Sequence, residues 1–330
     1  MIELQAPHLT VRVDADWGAQ ITHIGRTADE NVLFHGDWQA PLRASRALSY
    51  GSATHDWLSE YRGDWQELFP NAGDACDVMG VPLPFHGEVS GARWAVLEQT
   101  STRVVLRTAA RLPLVLERTM FIDPDRPALR IEERVVNESD LEVPFIWGHH
   151  PAFAVTASTV LDIPAGAVHV DAAMDTPLTD IVPGTTGTWP YAQGRDGSQV
   201  DLRAPILPRQ GHRLAYLADV TEGWAAVRDP DLGLGAGLAW DSSTFRHAWL
   251  WQETGTPDMP WFGRARITAI EAHMAWPSDG LAKAIERGQA GRLAPGGVHE
   301  TWITCVVFDA TQRAVTGISR DGQVREDGTR

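Results

Sequence analysis

Cysteine is nearly absent from this chain. Cys76 and Cys305 are its only two, far apart in 330 residues, which leaves no disulfide framework and no paired-cysteine metal site and points to a reducing compartment. Basic charge is also scarce. The net charge is −15, with no cluster of Lys and Arg, which argues against a nucleic-acid partner, since that affinity comes from neutralised phosphates. No apolar run is long enough to cross a bilayer, and Met1-Ile2-Glu3-Leu4-Gln5-Ala6-Pro7 has neither the basic nor the apolar region of a secretion signal. The expectation is a cytoplasmic protein without a membrane partner. Several reaction signatures are missing too. There is no Gly-x-Ser-x-Gly elbow, no His-Glu-x-x-His run and no Gly-x-Gly-x-x-Gly opening a helix. Gly233-Leu234-Gly235-Ala236-Gly237 reads instead as a turn or bulge between strands. No metal and no cofactor are expected.

What the chain does have is strand pattern along nearly its whole length. The hydrophobic fraction of 43% and charged fraction of 22% suit a globular protein with a large core. Leu9, Val11 and Val13 alternate with polar residues, as do Val104 and Leu106. The runs 114–122, 129–136 and 141–147 are separated by Asp123-Pro124-Asp125-Arg126-Pro127 and Asn137-Glu138-Ser139-Asp140, which reads as an antiparallel meander. Helical pattern is rare. One helix is predicted after Ser278 as N-cap, running through Leu281, Ala284 and Ile285 to Gly288. Segment 185–210 reads as a long excursion between strands, and 319–330 as a flexible C-terminal tail. The architecture predicted is all-β: one large sandwich domain over 1–318, mostly antiparallel, with few short helices.

Chemistry-bearing residues sit in three short segments. Pro84-Phe85-His86-Gly87-Glu88 and Gly148-His149-His150-Pro151-Ala152-Phe153 place histidines in turn-bounded, partly apolar runs, and Ile267-Thr268-Ala269-Ile270-Glu271 ends a β-patterned run on a carboxylate. Two imidazoles and one carboxylate suffice for acid–base chemistry on a neutral, hydroxyl-rich substrate. If His150 faces a cleft, His149 faces away, because successive strand residues alternate. His23, His35, His169 and His273 are assigned no chemistry.

Read in order, Trp65-Gln66-Glu67-Leu68-Phe69-Pro70-Asn71, Pro84-Phe85-His86-Gly87, His150-Pro151-Ala152-Phe153 and Ile270-Glu271 resemble the landmarks of the aldose 1-epimerase family, the galactose mutarotase-like proteins. That resemblance implies a β-supersandwich with an open sugar cleft on one sheet, and an isomerase that exchanges the α and β anomers of a sugar. It implies His150 as the acid that protonates the ring oxygen. Glu271 is then the base at the anomeric hydroxyl, and His86 hydrogen-bonds around the ring oxygen and anomeric centre. Asn71 matches a substrate-binding position, and Asp229 is the candidate for the family's sugar-binding aspartate. The partner implied is a small carbohydrate, bound by a monomer or homodimer.

The chain departs from the family pattern at Ala72, where an arginine often follows the asparagine, and at Ala154-Val155. A missing guanidinium removes a fork of donors for sugar hydroxyls, so the departures bear on the substrate more than on the reaction. Fourteen Trp against four Tyr supply indole faces for a pyranose, with Trp147 and Trp251 as substrate-binding candidates and Trp65, Trp249 and Trp261 near the same segments. Core packing is the competing role for each. Three rival functions remain: a non-catalytic sugar sensor, a phosphosugar epimerase, and a glycoside-cleaving enzyme. A phosphosugar enzyme would need cations at the cleft, with Arg43, Arg46, Arg62 and Arg93 as the residues to examine. A glycosidase would need a second carboxylate facing Glu271.

Overall fold

The computed structural model describes residues 1–38, 49 and 51–328; Arg43 and Arg46 lie outside the described residues. Two large antiparallel sheets dominate. The ten-stranded sheet runs, edge to edge, through Ile2–Ala6, Leu9–Asp14, Gln20–Gly25, Trp65–Leu68, Gly148–Ala154, Arg266–His273, His247–Thr254, Gly211–Ala218, Ala167–Val170 and Thr186–Thr188. The eight-stranded sheet runs through Val160–Asp162, Trp224–Asp229, Leu234–Trp240, Val298–Asp309, Ala128–Asn137, Leu114–Ile122, Arg103–Ala109 and Ala95–Gln99. Among the described residues no helix is long and apolar enough to cross a membrane.

Alternating sequence drives the two sheets together. In Ala128–Asn137, residues Leu129, Ile131, Glu133 and Val135 point inward while Glu132 and Arg134 stay exposed. The buried set joins Leu106, Leu116 and Leu238 of the same sheet to Val11, Trp65 and Ile270 of the other in one core. Burying such side chains contributes about 1.5–3 kcal/mol each before chain entropy is charged against it.

One inward position of strand Ala128–Asn137 is charged. Glu133 meets Arg118 at 2.9 Å, and the Arg118 guanidinium also pairs with Glu67 of the opposite sheet and donates to the Ala19 carbonyl at 3.1 Å. His149 Nε2 lies 3.0 Å from Glu133, while Trp147 Nε1 donates to Glu67 at 2.7 Å and Trp65 Nε1 to His149 Nδ1 at 3.2 Å. Glu67, Glu133 and His149 have the mutual spacing of metal ligands. The Arg118 guanidinium already bonds to both carboxylates, so the set has its counter-cation. This cluster stitches the sheets together, with both carboxylates bonded to the one guanidinium.

Several sequence expectations differ from the structure. The helix near Ser278 spans Gly280–Glu286 with Asp279 at its N-cap, because Ser278 is held instead by the Tyr216 hydroxyl, its Oγ at 2.9 Å and its N–H at 3.0 Å. A second helix, Ala53–Glu60, went unpredicted because it is only eight residues long, with Trp57 and Leu58 its only large apolar side chains and no residue fully buried, too short a pattern for helical periodicity to stand out. Segment 185–210 contains three short strands, Thr186–Thr188, Tyr191–Gln193 and Gln199–Asp201. Residues 319–328 do not form a loose tail: Val324–Glu326 pairs with Val315–Ile318, and Val315 and Ile318 pack on Ala128, Trp224 and Val306 of the eight-stranded sheet. The glycine-rich stretch lies mostly inside strand Leu234–Trp240, where Gly235 and Gly237 leave room for Phe308 and Ile318.

Candidate active site

The outer face of the ten-stranded sheet carries a cavity of about 230 Å³ lined by His86, His150, Glu271, Trp57, Trp249, Trp251 and neighbouring residues. Its centre follows from strand register. Gly148 pairs with His273 and Ala152 with Ala269, so His150 falls opposite Glu271; on the other flank Trp249 pairs with Glu271. Alternation puts all three side chains on one face while Ile270 turns into the core. His150 Nε2 lies 3.5 Å from Glu271 Oε1.

Burial sets the charge states. Desolvation raises the Glu271 carboxyl well above its ordinary range and lowers the His150 imidazole to about 4, because removing water disfavours each charged form. Burial thus pushes both groups toward their uncharged forms, a neutral carboxyl beside a neutral imidazole. Behind Glu271, His273 Nε2 approaches Oε2 at 3.3 Å and its ring stacks on Trp249 at 3.6 Å, 5° from parallel. Sequence reasoning gave His273 no role. Its place depends on Gly148, where a Cβ would fall 1.9 Å from the His273 ring.

His86 enters from a turn. Its backbone is left-handed, with φ of 59°, followed by Gly87 at 74°. Gly73 locks it from below: the Gly73 N–H donates to His86 Nδ1 at 3.0 Å, and the His86 N–H donates to the Gly73 carbonyl at 2.9 Å. An Nδ1 that accepts a backbone N–H is unprotonated, so the neutral ring carries its proton on Nε2 as a donor. Burial, and next the nearby His150, lower its pKa well below the usual value.

A roof covers these groups. Helix Ala53–Glu60 brings Trp57 to 4.7 Å from the His86 ring and 5.8 Å from that of His150. Tyr61, immediately after the helix, places its hydroxyl 3.4 Å from His150 Nδ1. Neither Trp57 nor Tyr61 was singled out from sequence.

Of the remaining candidates, Trp251 lines the cavity, its ring 5.5 Å from His150, and Trp249 and Trp261 line it as well. Asn71 does not. Its amide donates to the Asp74 and Pro84 carbonyls at 2.9 and 2.8 Å and accepts the Leu281 N–H at 2.7 Å, so it fastens the loops that carry His86. Trp147 is fully buried on the inner side, bonded to Glu67, and cannot meet a ligand. Asp229 lies elsewhere, accepting from Ser158 at 2.7 Å and from Thr156; it stabilises a turn. His149 faces away from the cavity into the Arg118 cluster, as alternation requires. Glu253 and His212, which sequence reasoning passed over, both line the cavity. No Arg or Lys lines it among the described residues, and Arg93 pairs with Asp16 on the surface.

No family profile matches the chain, and no curated protein sequence matches it. Solved structures do. The chain is similar to the Slr1438 protein from Synechocystis sp. PCC 6803, with 19% identity, TM-score 0.67, and 93% of this chain and 95% of that one covered. A protein from Escherichia coli K12, provisionally named an aldose 1-epimerase, gives 16% identity, TM-score 0.66, and coverage of 93% and 98%. A galactose mutarotase-like protein from Lactobacillus casei gives 17% identity, TM-score 0.58, and coverage of 93% and 99%.

This is the galactose mutarotase-like fold. Within the galactose mutarotase-like sandwich, the His150–Glu271 pair stands on the ten-stranded sheet and the His86 turn reaches in from its rim.

Proposed function

We propose that the protein exchanges the anomers of a sugar by acid–base ring opening and closing, as an aldose 1-epimerase does. The observation that carries this reading is the His150–Glu271 pair, 3.5 Å apart and buried together in a cavity with a neutral His86 donor. Likeness to proteins named for mutarotase and epimerase activity supports it.

The chemistry balances with no co-reactant. In the reactive form Glu271 is a carboxylate and His150 an imidazolium. Glu271 takes the proton of the anomeric hydroxyl, and His150 gives its proton to the ring oxygen. The ring C–O bond breaks as the C=O bond forms, leaving an open aldehyde, a neutral carboxyl and a neutral imidazole. Rotation about C1–C2 presents the other carbonyl face. The ring hydroxyl then attacks it, returning its proton to His150 while Glu271 reprotonates the former carbonyl oxygen. Burial favours the uncharged pair, so opening moves a desolvated ion pair toward the state that the cavity prefers. His86 Nε2–H hydrogen-bonds an oxygen near the anomeric centre.

The test is anomer exchange of a hexose and pentose panel, followed by proton NMR. Glu271→Gln removes the base and is expected to lower kcat by about 10²–10⁴-fold while sugar binding persists. His150→Ala is expected to lose far more turnover than His149→Ala. Unchanged kcat in Glu271→Gln, or equal losses at the two histidines, would sink the assignment.

A further inference from the structure

The cavity extends past the reacting pair. On strand His247–Thr254, Trp249, Trp251 and Glu253 share one face, and all three line the cavity. Trp249 is the partner of Glu271, so Glu253 stands four residues farther, about 13 Å along the strand. His212 pairs with Glu253 across the next strand and lines the cavity beside it.

The free atoms of this pair form a matched donor and acceptor. Glu253 Oε1 is occupied, accepting the Thr256 hydroxyl at 2.6 Å and its N–H at 3.2 Å. Glu253 Oε2 faces His212 Nδ1 at 4.0 Å, too far for a hydrogen bond. The other nitrogen of His212, Nε2, lies 2.6 Å from Thr176 Oγ1. That hydroxyl accepts the Leu178 N–H at 3.2 Å and keeps its own proton to donate to Nε2. In that tautomer His212 carries its proton on Nδ1, on the side of the gap. One hydroxyl oxygen about 2.8 Å from each atom fits there, donating to Glu253 and accepting from His212. Glu253 is buried, and burial raises its carboxyl to about 7 against the hydrogen bonds from Thr256.

We propose that Glu253 and His212 form a specificity subsite that reads the sugar hydroxyl farthest from the anomeric carbon, on C4 or C6, and rejects a phosphate there. This rests on the mutarotase reading, which places the anomeric carbon at Glu271. One hexose spans the two ends with a hydroxyl hydrogen-bonded at each, its CH-rich face against Trp251 and Trp261. A phosphate at the distal end would meet a carboxyl, with no Arg or Lys among the described lining residues.

The experiment is a double-mutant cycle between substrate and protein. Anomer exchange of a hexose, its 4-deoxy and 6-deoxy analogues and its 6-phosphate is measured with wild type, Glu253→Gln and His212→Gln. One deoxy sugar is expected to lose about 10–100-fold in kcat/KM with wild type and markedly less with each variant. The 6-phosphate is expected to bind at least about tenfold more weakly than the hexose. Equal deoxy penalties in all three proteins would overturn the proposal, as would a 6-phosphate bound as well as the hexose when the 6-deoxy sugar is the one penalised. If no sugar is turned over, the mutarotase reading fails by itself. The same cycle is then read as quenching of tryptophan fluorescence, where coupling retains the subsite and its absence removes it.

Discussion

Replacing Gly148 by alanine tests how the site is packed without altering His150, Glu271 or His86. The added Cβ would lie 1.9 Å from Cε1 of His273, 2.3 Å from Nδ1 and 2.4 Å from Nε2. Restoring ordinary contact, about 3.4 Å at the shortest, requires the ring to retreat by roughly 1.5 Å. It has no free path, because it stacks on Trp249 at 3.6 Å, and any shift loosens its 3.3 Å contact with Glu271 Oε2. Overpacking of this kind costs about 1–3 kcal/mol of stability, and displacing a reacting group by about 1 Å costs about 10²-fold in rate. The assay combines thermal unfolding with anomer exchange in Gly148→Ala, His273→Ala and the double variant. Gly148→Ala is expected to lower both Tm and kcat, and the double variant to recover part of the kcat lost by Gly148→Ala, since removing the imidazole vacates the space. A Gly148→Ala protein with wild-type Tm and kcat would refute the packing argument, and a His273→Ala protein with wild-type kcat would refute the role of His273 in placing Glu271.

Two further predictions concern charge. The folded state holds the His150 pKa at about 4, against about 6.5 unfolded, so the unfolded chain binds more protons between those values and stability contributed at this site rises with pH across that window. The difference amounts to roughly 3 kcal/mol, and denaturant unfolding at a series of pH values should show a shallower acid destabilisation in His150→Gln than in wild type; identical slopes would contradict it. Arg118→Met strips the cation from Glu67 and Glu133 and is expected to destabilise the fold by about 3–5 kcal/mol. Chemical unfolding would expose the error if the loss were below about 1 kcal/mol.

Part of this site is legible in the chain itself. His86, His150 and Glu271 sit in short segments whose order and residue types stand out from the strands around them, and alternation alone predicts that His149 and His150 part company. Nearness in sequence misleads elsewhere. Asn71 lies beside a matched motif, but its amide is used up by three backbone groups. Trp147, three residues before His150, points to the opposite face of the sheet, where it bonds to Glu67. Ile270 is the apolar neighbour of Glu271 in sequence, yet adjacent strand residues face opposite ways, and His273, two residues on, takes that side.

By itself the sequence determined the all-β class, the scarcity of helix and the kind of chemistry available, because local alternation, turn residues and side-chain type are written along the chain. Tertiary structure alone decided which groups meet. His150 and Glu271 are brought together by cross-strand register between segments more than a hundred residues apart, and Glu253 and His212 by the same device. Trp57 and Tyr61 are added by the short helix Ala53–Glu60 and the residue that follows it. The charge states followed from that assembly, since only burial on a common face raises the Glu271 carboxyl while lowering the imidazoles of His86 and His150.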